Sequence, residues 1–151
     1  MKRYITLIAL LIFAVTSCGK KGFDPKKQSE IDDADIRSYL ALYNIDAQKD
    51  DSGIYYQITK PGNTIHPEAD ATVTVHTEIK LLDGTHISTL DSTQPLANFI
   101  KGLRIGIPLL DKGAEAIILV PSGLAYGSDN VGAIPPNSVL VYNIKLVGFT
   151  E

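Results

Sequence analysis

From Ile54 onward, apolar and polar residues alternate in segments that read as β-strands. Ile54, Tyr56 and Ile58 mark one strand, closed by Pro61-Gly62. Val73, Val75, Thr77, Ile79 and Leu81 mark the next, and Asp83-Gly84 predicts a two-residue hairpin turn that sets His86 opposite Leu81. Ala114 to Val120 and Val139 to Val147 complete the sheet, the last with Leu140, Tyr142, Ile144 and Leu146 on one face. Leu96 to Ile105 predicts a short helix around Gly102. Upstream the period changes. Ile36, Tyr39, Leu40 and Tyr43 recur at helical spacing, and the helix is expected over residues 29–45. Ser29 and Asp32 fit a capping box, Glu30, Asp32 and Asp33 suit the positive end of the helix dipole, and Asn44 suits its stop. The apolar stripe has two possible covers, the chain's own domain or a second copy. Together these elements predict an α+β fold: a twisted, mostly antiparallel sheet wrapped over one short helix, with an N-terminal helical extension.

The first residues follow neither period. Lys2 and Arg3 precede an apolar run from Ile5 to Val15, broken only by Thr6. A membrane-spanning helix needs about 20 residues, so the run has the length of a signal-peptide core. Val15-Thr16-Ser17-Cys18 then resembles a bacterial lipobox, which makes residues 1–17 a lipoprotein signal peptide and Cys18 the lipidated first residue of the mature chain. The competing reading is an ordinary secretory signal with an incidental cysteine. Residues 18–28 hold four lysines, two glycines and a proline and read as a tether. Several acyl chains on Cys18 make the lipid bilayer a stable partner, where one chain binds only marginally.

Composition narrows the function classes. The 151 residues carry a formal net charge of −3, which becomes −5 once Lys2 and Arg3 leave with the signal. A mildly acidic domain is a poor nucleic-acid binder. One cysteine supplies neither a disulfide nor a metal framework. His66, His76 and His86 fall too far apart for a metal site, and no cofactor is expected. Asp32, Asp33, Asp50 and Asp51 read as solvated caps and turns, and Ser122 does not sit in a nucleophile elbow.

One segment is more specific than the rest. Val120 to Tyr142 runs Val-Pro-Ser-Gly-Leu-Ala-Tyr-Gly, then Ser-Asp-Asn-Val-Gly-Ala, then Ile-Pro-Pro-Asn-Ser-Val-Leu-Val-Tyr. A strand ends at Pro121, a Gly-rich loop presents Tyr126, and Ile134-Pro135-Pro136 leads back into a strand. Prolines cannot donate to a ladder, so they bracket and stiffen the loop. With Ile100-Lys-Gly-Leu-Arg-Ile-Gly and Lys112-Gly113 upstream, this order resembles the FKBP-type peptidyl-prolyl cis-trans isomerases over roughly residues 53–149. The isomerase domain is accordingly placed at 53–151.

The resemblance implies an activity on proline-containing polypeptides and a set of residues for it. Ile100 would offer its backbone N–H to a substrate carbonyl, and Tyr126 its hydroxyl to a second; these two are the catalytic candidates. Leu103 would form the floor of the proline pocket, Ile134 and Tyr142 its far wall, Ile87 and Ser88 its near wall, and Leu96 its rim. Where the family usually has tyrosine this chain has Thr77, and Ile87, Ser88, Leu103 and Tyr142 replace phenylalanine, aspartate, tryptophan or another large residue, and phenylalanine. Aromatic area is thus lost from several sides. Two readings stay open: an isomerase that acts on exported proteins, and a catalytically weak or inactive binding or assembly module of the cell envelope. The layout of lipobox, helix and domain is similar to lipoprotein isomerases of Bacteroidetes, some associated with gliding motility. Gly19 is not the aspartate that commonly retains lipoproteins at an inner membrane, and Gly19-Lys20-Lys21 lacks an acidic export tag. The expected location is therefore the periplasmic face of an outer membrane.

Overall fold

Asp24, not Ser29, starts the first helix of the computed structural model, which describes residues 24–150. Helix α1 spans Pro25–Tyr43. The Asp24 carboxylate accepts from the N–H groups of Lys26 and Lys27 at 3.0 and 3.3 Å, and Pro25 occupies the first helical position, where its missing N–H costs nothing. Asn44 ends the helix in the left-handed region at φ 51°, as expected of a C-terminal stop.

Six strands follow: β1 (Gln48–Lys49), β2 (Tyr55–Lys60), β3 (Thr72–Leu81), β4 (His86–Pro95), β5 (Glu115–Val120) and β6 (Leu140–Thr150). They form one antiparallel sheet in the order β1-β2-β5-β6-β3-β4. Between β4 and β5 a 3₁₀ turn at Leu96–Asn98 leads into helix α2 (Lys101–Gly106) and a second 3₁₀ turn at Ile107–Leu109. The helix expected from Leu96 is therefore interrupted at Phe99-Ile100, where the backbone is extended.

Two further expectations change. The hairpin between β3 and β4 has a three-residue loop: Leu81 N–H donates to Thr85 O at 3.0 Å, and Gly84 takes φ +87°. Its register pairs Ile79 with Ser88 but Lys80 with His86, so Ile87 is the extra residue of a β-bulge. The ten-residue strand β4 itself escapes the alternation pattern, because it is a polar edge strand with neither face fully covered.

The alternation on the central strands sorts two cores. On the inner face, Val73, Val75, Ile118, Val120, Leu140, Tyr142, Ile144 and Leu146 are buried under α2 with Leu103 and Ile107. On the outer face, Ile36 of α1 packs with Tyr55, Leu119, Val139 and Val141, and Tyr39 and Leu40 lie against them. The helical stripe thus covers the chain's own sheet, while Tyr43 at its end remains exposed.

α2 reaches the sheet through glycine. A Cβ built on Gly102 falls 2.3 Å from Val120 Cγ1, and one on Gly106 falls 2.9 Å from Ile118 Cδ1. That close approach lets a six-residue helix rest directly on β5.

Candidate functional site

Most of the candidate residues fall on the inner face of β6, at the N-terminus of α2 and in the segments beside them. Tyr142 sits between Ile79 of β3 and Ile118 of β5 across the ladder and is 3% exposed. Burial, with the neighbouring Tyr126 hydroxyl second, pushes its phenol far above the ordinary tyrosine range, so it stays protonated at any physiological pH. Tyr126 follows the 3₁₀ turn Ser122–Leu124, is partly exposed, and packs against the same cluster. The two tyrosines are therefore neighbours, one buried as wall and one reaching solvent.

Each remaining wall residue has a local cause. Ile100 caps α2: its carbonyl accepts from Leu103 and Arg104 N–H, both at 3.0 Å. Among the described residues its own N–H has no backbone partner. Leu103 follows on the buried face of the helix. Ile134 is set by a tight turn in which Val131 and Ile134 exchange backbone hydrogen bonds at 3.1 and 2.9 Å about Gly132, φ +57°. Ile87 is turned against the cluster by the β4 bulge. The fold thus gathers these residues in one apolar cluster, with Leu103, Ile134 and Tyr142 buried in it and Ile87, Ile100 and Tyr126 partly exposed against it.

Three other candidates sit differently. Leu96 is 1% exposed and is core, not rim. Thr77 is buried on the inner face of β3, and its hydroxyl donates to Leu90 O at 3.3 Å across to β4, so it ties the edge strand down. Ser88 lies half-buried on that edge, opposite Ile79. Phe99, half-buried against the cluster beside Ile100, was missed; its place immediately before the Ile100-Lys-Gly-Leu segment is the signal that could have found it.

The acidic residues divide in a way that the sequence did not predict. Asp50 is a turn acceptor, bonded to Ser52 N–H at 2.8 Å. Asp33 takes Lys49 Nζ at 2.5 Å, the Tyr55 hydroxyl at 2.7 Å and the Arg37 guanidinium, and these donors, Lys49 first, hold its carboxyl down at about 2. Asp32 is no solvated cap. It is 2% exposed and accepts from Ser122 N–H and Ser122 Oγ at 2.8 and 2.6 Å. A cleft of about 420 Å³ opens beside it, between Ser29, Asp33 and Lys49 on one side and Pro121 and Leu124 on the other. His76 pairs with Asp91 and His86 with Thr89, and no group of three His, Cys, Asp or Glu side chains gathers among the described residues.

Residues 63–147 match the family model for FKBP-type peptidyl-prolyl cis-trans isomerase, more than half of the chain. The chain belongs to that family. It is 41% identical over 102 residues to the probable FKBP-type peptidyl-prolyl cis-trans isomerase FkpA of Neisseria meningitidis serogroup B, covering 64% of this chain and 38% of that protein. The FkpA of Aeromonas hydrophila is 38% identical over 106 residues, covering 67% and 40%. The chain thus spans about two fifths of the length of these curated relatives. Among solved structures, FkpA from Escherichia coli superposes with a TM-score of 0.70 at 26% identity, over 82% of this chain and 62% of that one. A peptidyl-prolyl cis-trans isomerase from Pseudomonas syringae pv. tomato shares the fold at a TM-score of 0.69 and 23% identity, covering 85% and 98%. The FKBP assignment carries the α+β architecture with it; the span matched by the family model begins after α1.

Proposed function

We propose that this FKBP domain accelerates cis-trans isomerisation of Xaa-Pro bonds in polypeptides. The observation that carries the reading is the match of residues 63–147 to the isomerase family together with one apolar cluster in which the partly exposed Tyr126 and the capping Ile100 lie against the buried Leu103, Ile134 and Tyr142.

The chemistry asks for little more. Rotation is slow because amide resonance raises a barrier of about 18–20 kcal/mol. In the twisted transition state that resonance is lost and the carbonyl becomes less polar. An apolar wall disfavours the planar, more polar ground state relative to the twisted one, which is differential binding. The N–H of Ile100, which has no backbone partner among the described residues, and the hydroxyl of Tyr126 are donors for carbonyls flanking the proline, and they hold the segment in a turn. Neither a nucleophile nor a proton transfer enters. The proline ring rests over Leu103, with Ile87 at the near wall and Ile134 and Tyr142 at the far wall; Leu96 supports this surface from within the core.

A second reading, binding without useful turnover, is supported by the aliphatic and hydroxyl residues that stand at Thr77, Ile87, Ser88 and Leu103 in place of the family's larger or charged side chains. A protease-coupled assay on an Xaa-Pro peptide separates the two: the isomerase shortens the slow phase in proportion to its concentration, and a pure binding module leaves it unchanged.

The anchor belongs to the same proposal. Residues 1–17 act as a lipoprotein signal and Cys18 holds the chain at the periplasmic face of an outer membrane, where exported chains with unisomerised prolines are the substrates. Cys18 and its lipobox lie outside the described residues; the reading rests on the order of basic head, apolar core and Val15-Thr16-Ser17-Cys18.

A further inference from the structure

The turn that carries Tyr126 is tied to α1, which precedes the span matched by the family model. The carbonyl of Ser122 accepts from Ala125 N–H at 3.0 Å and from Gly127 N–H at 2.8 Å, the residues on either side of Tyr126. Ser122 is itself 1% exposed, and both of its own donors, the main-chain N–H and Oγ, end on one oxygen of Asp32. The other Asp32 oxygen accepts from Gln28 Nε2 at 2.8 Å. A buried carboxylate is tolerated only where donors replace its water, and here three do. Two of the three lock Ser122 in both main-chain orientation and side-chain rotamer. Asp32 and Ser122 are 90 residues apart, and α1 precedes the matched family span.

We propose that Asp32 is a positioning residue for Tyr126: by fixing Ser122 it sets the turn that presents the tyrosine hydroxyl to a bound Xaa-Pro segment. The inference rests on the isomerase reading above for its effect on rate, but not for its effect on the turn. It gives α1 a role beyond covering the outer face of the sheet. The helix carries one acceptor to the back of the turn whose front faces substrate. The neighbouring acid does not share the task, because the Asp33 carboxylate is taken by Lys49, Tyr55 and Arg37.

The test uses the full chain, purified in detergent, and three variants. Asp32→Ala removes both acceptors. Asp32→Asn keeps an oxygen for Ser122, since the Gln28 amide can turn to offer its own oxygen to the new NH₂. Ser122→Ala removes the Oγ bond alone. Catalytic efficiency should fall about three- to tenfold in Asp32→Ala, while Asp32→Asn stays within about twofold of wild type. In a Tyr126→Phe background, Asp32→Ala should cost less than about twofold more, because the two act through one hydroxyl. The ring resonances of Tyr126 should move in Asp32→Ala and stay in Asp32→Asn. If Asp32→Ala does not fold, Ser122→Ala, read by the same resonances and the same Tyr126→Phe comparison, decides. A fully additive loss with Tyr126→Phe, or Tyr126 resonances unmoved in the variant that is read, overturns the proposal. A wild-type chain that binds peptide without turnover removes the isomerase reading alone, and the resonances then decide whether Asp32 holds the turn.

Discussion

Replacing Gly102 with alanine tests how α2 is seated, and with it the position of Ile100 and Leu103. The added Cβ meets Val120 Cγ1 at 2.3 Å, Cγ2 at 3.0 Å and Cβ at 3.2 Å. Carbon atoms pack best at about 3.5–4.0 Å, so the helix must lift by roughly 1 Å or Val120 must turn away. Val120 has little freedom: it is 0% exposed, β-branched, and held in β5 between β2 and β6. Overpacking of this kind costs about 1–3 kcal/mol, and alanine's better helix propensity returns about 1 kcal/mol. At a 2.3 Å contact the cost lies in the upper part of that range, about 2–3 kcal/mol, so a net loss of about 1–2 kcal/mol follows, read as a lower urea midpoint at unchanged slope. Catalytic efficiency should fall by roughly tenfold or more, since a displacement of about 1 Å at a site is enough for that. Gly106→Ala is the control. Its Cβ meets the far end of Ile118, Cδ1, at 2.9 Å, and Ile118 Cγ2 and Ile54 Cδ1 at 3.3 and 3.4 Å, so it should stay within about 1 kcal/mol of wild type. Val120→Ala clears the space, and adding Gly102→Ala to it should then be neutral or stabilising. A Gly102→Ala chain as stable as wild type would refute the argument that backbone contact at this glycine seats the helix.

The other predictions concern the site, the salt network and the anchor. Tyr126→Phe removes one hydrogen bond, worth about 0.5–1.5 kcal/mol, and should lower catalytic efficiency by about three- to tenfold with an unchanged melt. The depressed Asp33 carboxyl stabilises the fold above its unfolded value of 3.8, and that contribution disappears as pH falls through about 2. Stability should therefore decline from about pH 4 toward pH 2, by less than about 1 kcal/mol because water screens the ions, and Asp33→Asn should remove that part of the slope. Cys18→Ala should abolish incorporation of a fatty-acid probe in cells; equal labelling of both chains would contradict the lipobox reading.

Strands β3, β5 and β6 were legible because each buries its inner face, which writes a period of two into the sequence even where α1 also covers Leu119 and Val141 on the outer face. β4 was not, because His86–Pro95 is an edge strand with polar residues on both faces, and only its partner β3 reveals it. The start of α1 was misplaced by a competing signal. Ser29 and Asp32 have capping-box spacing, but Asp24-Pro25 caps the helix, and Asp32 is drawn inward by Ser122, a partner 90 residues away that no local pattern announces. That Tyr126, Ile100 and Leu103 meet in one apolar cluster was readable from their motifs. The burial of Leu96 and the tie from Thr77 to Leu90 depend on how β4 folds back, so they became visible only in three dimensions.

The measurement that reads the proposed chemistry most directly is exchange spectroscopy on an Xaa-Pro peptide, which follows the bond without a coupled protease. Uncatalysed exchange takes tens to hundreds of seconds at 25 °C. With substoichiometric wild-type chain the cis and trans signals should exchange within the mixing time, and Tyr126→Phe should slow that exchange about three- to tenfold. Exchange no faster than in buffer, from a chain that is folded by circular dichroism, would contradict the account.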